Sequence, residues 1–214
     1  MSIKVIVVDY GLGNMLSVCR ALEYCGAETS LAVTSKDVAS ADRLVLPGVG
    51  AFAAGIERLA NQDLIDALQK FAKSGRPLLG ICLGMQLFMS IGEEFGEHNG
   101  LDIISGKVKS LPPVNDAGDA VKIPHIGWGA VINAQNDDLW ENSVLKGVKP
   151  GEFVYFVHSF VVDTNDKHLC IAQCVHDGIR IPAVIKSGNV YGCQFHPEKS
   201  GPVGMRIIKN FLAL

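Results

Sequence analysis

Apolar residues in the amino-terminal half of the chain come in short blocks, separated by segments with helical spacing. Residues 3–9 form a β-branched run that reads as a buried strand. It leads into the Gly-rich turn DYGLGN, where Asn14 is placed to cap a helix over residues 15–25 with Leu16, Cys19, Ala21 and Leu22 apolar. Gly26 ends that helix, because glycine takes a left-handed terminus at little cost. Residues 29–33 and 43–46 are two further strands, the second running into PGVG at 47–50. Residues 52–73 read as helix with a break near Asn61, 77–82 as a fourth strand, and 84–90 as the start of another helix. Strands alternating with helices predict a parallel sheet with right-handed crossovers, whose functional loops gather at the carboxyl ends of the strands.

The pattern changes in the second half. Residues 111–119 are a Pro/Gly/Asp loop, and KIPHIGWGAV (122–131) reads as extended segments around a turn. GEFVYFVHSFVV (151–162), HLCIAQCVH (168–176), IRIPAVIKS (179–187) and NVYGCQF (189–195) are strand-like and joined by short turns. They predict an antiparallel extension of the sheet. A closing helix begins near GPVG and carries Val203, Ile207, Ile208, Phe211 and Leu212 on one face. With no repeat and no linker, the expectation is one domain over residues 1–214.

Composition narrows the class. At 214 residues and 48% hydrophobic, the chain can bury a substantial core. Its longest apolar runs, 5–8 and 153–157, are strand-sized, far from the ~20 residues needed to cross a bilayer. The opening MSIKVIVVDYG makes a poor signal peptide, so a soluble cytoplasmic protein is expected. The net charge of −3 is interspersed, which argues against nucleic-acid and membrane surfaces. Six cysteines form no CxxC pair and show no metal-like spacing with histidine, so neither metal nor cofactor is expected. Five of them read as small buried residues of a reducing compartment.

The sixth, Cys82, differs. In GICLG it stands where a strand turns into a helix, between glycines that allow a sharp, strained turn lifting one side chain above the sheet. The positive end of the new helix favours thiolate there. A buried structural cysteine would give the same short pattern, so a partner must decide. QFHPEKS supplies one: His196 and Glu198 follow a strand, and in extended backbone their spacing puts both on one face. A carboxylate beside an imidazole fixes its tautomer and stabilises its charged form. Taken together, Cys82, His196 and Glu198 form a candidate nucleophile–base–carboxylate triad. Oxyanion donors are expected from Leu83, next after the nucleophile, and from the PGVG turn with Val49 and Gly50.

DYGLGN, LPGVGAF, LLGICLGMQLF, IPHIGW, YFVHSF and QFHPEKSG resemble the class I glutamine amidotransferases, and within them the glutaminase subunits of imidazole glycerol phosphate synthase. The resemblance spans essentially the whole chain. It implies a flavodoxin-like α/β fold: a mixed sheet, a parallel core with an antiparallel extension, and helices on both faces. It implies glutamine hydrolysis through a cysteine thioester, with glutamine held by Gly50, Gln86, Glu94, His158, Ser159 and Phe160. The position of Gln86, one helical turn past Cys82, agrees with that role independently. It also implies a (β/α)8-barrel cyclase partner in a heterodimer, faced by Asn14, His125, Trp128 and Lys199, and a Val49 peptide that turns to complete the oxyanion hole. Two positions depart from the usual pattern: Phe160 where tyrosine is common, and Gly129, in the partner-facing region, where asparagine is common. They keep open an amidotransferase subunit serving a related synthase outside histidine biosynthesis. A stand-alone cysteine γ-glutamyl hydrolase is the alternative from another class.

Overall fold

A computed structural model describes residues 3–135 and 138–214. The first half is a β/α succession: β1 (Ile3–Val8), α1 (Met15–Tyr24), β2 (Ala27–Ala32), α2 (Ser35–Ser40), β3 (Leu44–Gly48), α3 (Phe52–Asn61), α4 (Ile65–Lys73), β4 (Leu78–Cys82) and α5 (Leu83–Leu87). Next come β5 (Met89–Gly92), β6 (His98–Asn99), β7 (Ile104–Ser110), β8 (His125–Asn133), α6 (Asp138–Glu141), β9 (Phe153–His158) and β10 (Phe160–Thr164). The chain closes with β11 (Cys170–His176), β12 (Ile179–Ser187), β13 (Val190–Cys193), a 3-10 turn at Pro197–Lys199, and α7 (Gly201–Leu212).

Nine strands form the main sheet in the order β2-β1-β3-β4-β13-β12-β11-β8-β9. The run from β2 to β13 is parallel, and the run from β13 to β9 is antiparallel, which is the expected core and extension. β3 and β4 are buried along their whole length, as strands covered on both faces must be. Alternation along them divides the core in two. Val5, Val7, Val45, Leu79 and Ile81 pack with Leu22 of α1 and Ile207 and Phe211 of α7. Val8, Leu44, Leu46 and Leu78 pack with Phe52 and Leu59 of α3 and Leu68 and Phe71 of α4.

The helix over 52–73 breaks after Asn61, where Asp63 takes a left-handed φ of 55°. Asn14 caps α1 by accepting from Ser17 N at 3.2 Å, and Gly26 follows with φ 98°. Three features differ from the sequence reading. α2 is nucleated by a capping box between Thr34 and Asp37. The helix begun after Cys82 stops at Leu87, because Met89–Gly92 finds a strand partner in β7 and opens a second sheet, β10-β7-β5-β6. The expected strand over 151–162 is two: β9 pairs with β8 in the main sheet, and β10, beyond Ser159, pairs with β7 in the second.

Candidate active site

Cys82 sits at the tip of β4 with φ 53° and ψ −108°, a backbone conformation that costs a non-glycine residue roughly 1–3 kcal/mol. The neighbouring glycines are what make it possible. A Cβ on Gly84 would overlap the Leu46 carbonyl of β3, and one on Gly80 would crowd the Phe88 ring and Met85 N. Leu83 opens α5, so its N–H is one of the first-turn donors without a partner inside the helix.

The parallel β4–β13 ladder sets Cys193 opposite Ile81, so the residues after β13 run past Cys82. His196 is held there through its backbone: its N–H donates to Tyr155 O at 2.9 Å, and its carbonyl accepts from Ser200 Oγ at 2.6 Å. The same Ser200 oxygen accepts from Tyr155 N at 3.0 Å, tying the turn to β9. His196 Nδ1 lies 2.7 Å from Glu198 Oε1, with only 2% and 1% of the two side chains exposed. The backbone is not extended as the sequence reading had it; the 3-10 turn at Pro197–Lys199 folds Glu198 back onto the ring. An ionised carboxylate only accepts, so Nδ1 carries a proton and Nε2 is the working nitrogen. Nε2 has no hydrogen-bond partner among the described residues. Burial works to lower the His196 pKa, but the Cys82 sulfur and Glu198 outweigh it and lift the imidazole to about 9.

A pocket of about 270 Å³ opens onto this pair, lined by Val49, Gly50, Cys82, Leu83, Gln86, Glu94, Val157, His158, Ser159, Phe160 and His196. All the oxyanion and glutamine-holding candidates therefore meet around Cys82 and His196, while Glu198 stands behind the imidazole. Gln86 donates to Phe160 O at 3.0 Å and to Gln194 Oε1 at 3.2 Å. Gln194 is fully buried, and its Nε2 lies 3.8 Å from the Cys82 sulfur. Sequence reasoning missed Gln194; its place within QFHPEKS, two residues before His196, was the available signal. Glu94 accepts from Phe52 N at 2.6 Å, so one carboxylate both faces the pocket and holds the start of α3 just after PGVG.

Of the partner-facing candidates, Asn14 and Lys199 are exposed, and Trp128 is 57% exposed with its ring edge-on to Tyr155. His125 is not at the surface. It is 4% exposed, stands opposite His158 in the β8–β9 register, and brings Nδ1 within 3.1 Å of His158 Nε2. His158 Nδ1 in turn lies 3.0 Å from Phe160 O, which makes it the donor and assigns the shared proton to His125. Burial, and then the neighbouring histidines, lower the pKa of His125 to about 4 and of His158 to about 3. Gly129 also points inward: a Cβ there would meet the Cys174 sulfur and the Phe156 ring, so its departure from the usual asparagine belongs to packing.

A cysteine on a strained strand-to-helix turn, facing a histidine–carboxylate pair from the next strand, defines an α/β protein of the nucleophile-elbow class. Within that class the chain belongs to the class I glutamine amidotransferases, whose family model matches residues 6–214. It is 49% identical over 211 residues to the imidazole glycerol phosphate synthase subunit HisH 1 of Legionella pneumophila (strain Paris), covering 99% of both chains. It is 42% identical to the HisH subunit of Caldanaerobacter subterraneus, covering 96% of this chain and 95% of that one. Among solved structures, PurLQS from Thermotoga maritima matches with a TM-score of 0.71 at 21% identity, covering 100% of this chain and 99% of that one. A glutamine amidotransferase from the same organism matches with a TM-score of 0.61 at 16% identity, covering 96% and 80%. At these identities the structural likeness speaks for the fold.

Proposed function

We propose that this chain, acting as one domain, is the glutamine-hydrolysing subunit of an imidazole glycerol phosphate synthase and delivers ammonia to a (β/α)8-barrel cyclase bound as a heterodimer. The observation that carries the reading is the buried His196–Glu198 pair sharing one pocket with the strained Cys82. The near-full-length identity to HisH subunits supports the pathway. Six free cysteines fit a cytoplasmic setting, and no helix among the described residues is long and apolar enough to cross a membrane.

In this reading the Cys82 sulfur attacks the side-chain amide carbon of glutamine while His196 is protonated. Negative charge collects on the amide oxygen and is met by the N–H groups of Leu83 and Val49. His196 gives its proton to the amide nitrogen, the C–N bond breaks, and ammonia leaves a γ-glutamyl thioester. Water then attacks the thioester carbon, His196 takes its proton, and the C–S bond breaks to release glutamate. Glu198 keeps the imidazole in the required tautomer and offsets its charge. Gly50, Gln86, Glu94, His158, Ser159 and Phe160 hold the substrate, with Glu94 facing its ammonium group. Asn14, Trp128 and Lys199 face the cyclase, and a closed route keeps ammonia unprotonated and nucleophilic until it reaches the acceptor.

Glutamate release from purified protein, alone and with the cyclase subunit plus its ribonucleotide ligand, tests this. Release should rise steeply with the partner; robust release indifferent to it overturns the coupled reading, and preference for γ-glutamyl peptides over glutamine points to a stand-alone hydrolase. Phe160 lies in the glutamine pocket and Gly129 in the core, so neither favours another acceptor. A pull-down that recovers a different synthase would reassign the acceptor.

A further inference from the structure

Tyr10, the tyrosine of DYGLGN, is completely buried, and its hydroxyl has no hydrogen-bond partner among the described residues. An unpaired buried hydroxyl is unfavourable, and a buried polar group in that state calls for an explanation. Its position supplies one. The β1–β3 register sets Ile6 opposite Leu44 and Val7 opposite Val45; continued past the end of β1, it brings Tyr10 level with Gly48. Gly48 stands opposite Cys82 in the β3–β4 register. Tyr10, Gly48 and Cys82 therefore form a line across the carboxyl ends of three adjacent parallel strands. Contact follows from that line: a Cβ on Gly48 would run into the Tyr10 hydroxyl and lie 3.0 Å from Leu83 Cβ. The phenol is thus packed against the main chain that leads into Val49.

The glycines on either side of Val49 tolerate the backbone angles that a turned Gly48–Val49 peptide needs. Val49 lies between Gly48 and Gly50, is 40% exposed, and lines the pocket, and Gly50 has φ 101°. In a trans peptide the C=O and N–H point in opposite directions. Turning the Val49 N–H toward the sulfur therefore turns the Gly48 carbonyl away from the pocket, where it needs a donor. Burial, together with the Cys82 sulfur, pushes the Tyr10 pKa above its ordinary value, which keeps the hydroxyl a neutral donor.

We propose that Tyr10 is a positioning residue for the oxyanion turn: its hydroxyl donates to the Gly48 carbonyl when the Gly48–Val49 peptide presents the Val49 N–H to the pocket. This rests on the glutaminase reading above. The hydroxyl is unpaired here, so a bond gained to the Gly48 carbonyl favours the peptide orientation that makes it.

The test is Tyr10→Phe, which deletes one oxygen, measured in the complex with the cyclase and its ribonucleotide ligand. Expected are a fall in kcat for glutamate release of about ten- to a hundredfold and a KM for glutamine within about twofold. Alkylation of Cys82 by iodoacetamide, which needs no oxyanion hole, should stay within about twofold, and the melting temperature should hold or rise because an unpaired hydroxyl is gone. A kcat within about twofold of wild type overturns the proposal. So does a matching fall in alkylation, which would place the effect on the sulfur itself, or a clear drop in melting temperature, which would make the role structural. A wild-type complex that releases no glutamate fails the glutaminase reading and this proposal with it; normal wild-type turnover with an unaffected variant fails this proposal alone.

Discussion

His196 Nδ1 and Glu198 Oε1 meet at 2.7 Å inside the protein, although only Pro197 separates them in sequence. In the proposed mechanism the carboxylate orients the ring and supports its charge without touching the substrate, so the two residues should not be equally costly to lose. On that mechanism His196→Ala removes the proton carrier and should lower kcat by about 10⁶-fold, whereas Glu198→Gln should cost about 10⁴-fold. Steady-state glutamate release by the complex checks this; equal losses would mean that Glu198 takes a direct part in proton transfer.

Cys82→Ser is nearly isosteric and leaves the strained turn in place. Turnover should disappear while the melting temperature moves by less than about 3 °C. Calorimetry beside an activity assay decides the matter, and measurable turnover in the serine variant would remove Cys82 from the mechanism.

Gly84 touches nothing in the pocket's chemistry, yet the nucleophile turn depends on it. With the Leu46 carbonyl where an alanine Cβ would go, Gly84→Ala must push β3 away from α5. The expected loss is about 2–4 kcal/mol in urea unfolding, with glutamine turnover falling as well because Cys82 is displaced. A variant as stable as wild type would show that this turn has more room than the structure allows it.

How far these features could be read beforehand depends on whether their cause was local. The β/α half was legible because β3 and β4 are unbroken apolar runs ended by Gly-rich turns, and the elbow and the His-Pro-Glu turn are each contained in a few residues. The break at Ser159 was not, because apolar character continues through FVHSFVV while the chain changes sheets; only the ladders with β8 and β7 mark it. Likewise Met89–Gly92 looks helical until β7 supplies a strand partner. His125 is assigned to the partner face by the family resemblance alone, whereas plain strand alternation along β8 turns 126 and 128 to solvent and keeps 125 and 129 buried. Gln194 and Ser200 lie within or beside the recognised motif, but their partners Gln86 and Tyr155 come from distant strands and helices, so no spacing rule pointed to them.

The charge state of His196 ties stability to pH. Its folded-state pKa of about 9 lies above its ordinary value of 6.5, despite burial that works the other way. A group raised in this manner binds its proton more tightly folded than unfolded. Its contribution to stability is therefore fully present below about pH 6.5 and is lost as the pH rises through about 9. Two consequences can be measured. The His196 ring, followed by NMR, should titrate near 9 in the wild type and at a clearly lower pH in Cys82→Ala, where burial is opposed by Glu198 alone. Between pH 6.5 and 9 the urea midpoint should fall as the folded state gives up this stabilisation, and His196→Ala should flatten that fall. A wild-type ring titrating at or below 6.5 would mean that desolvation prevails and that the resting imidazole is neutral. His196 would then enter the reaction as a neutral general base rather than as a charged acid.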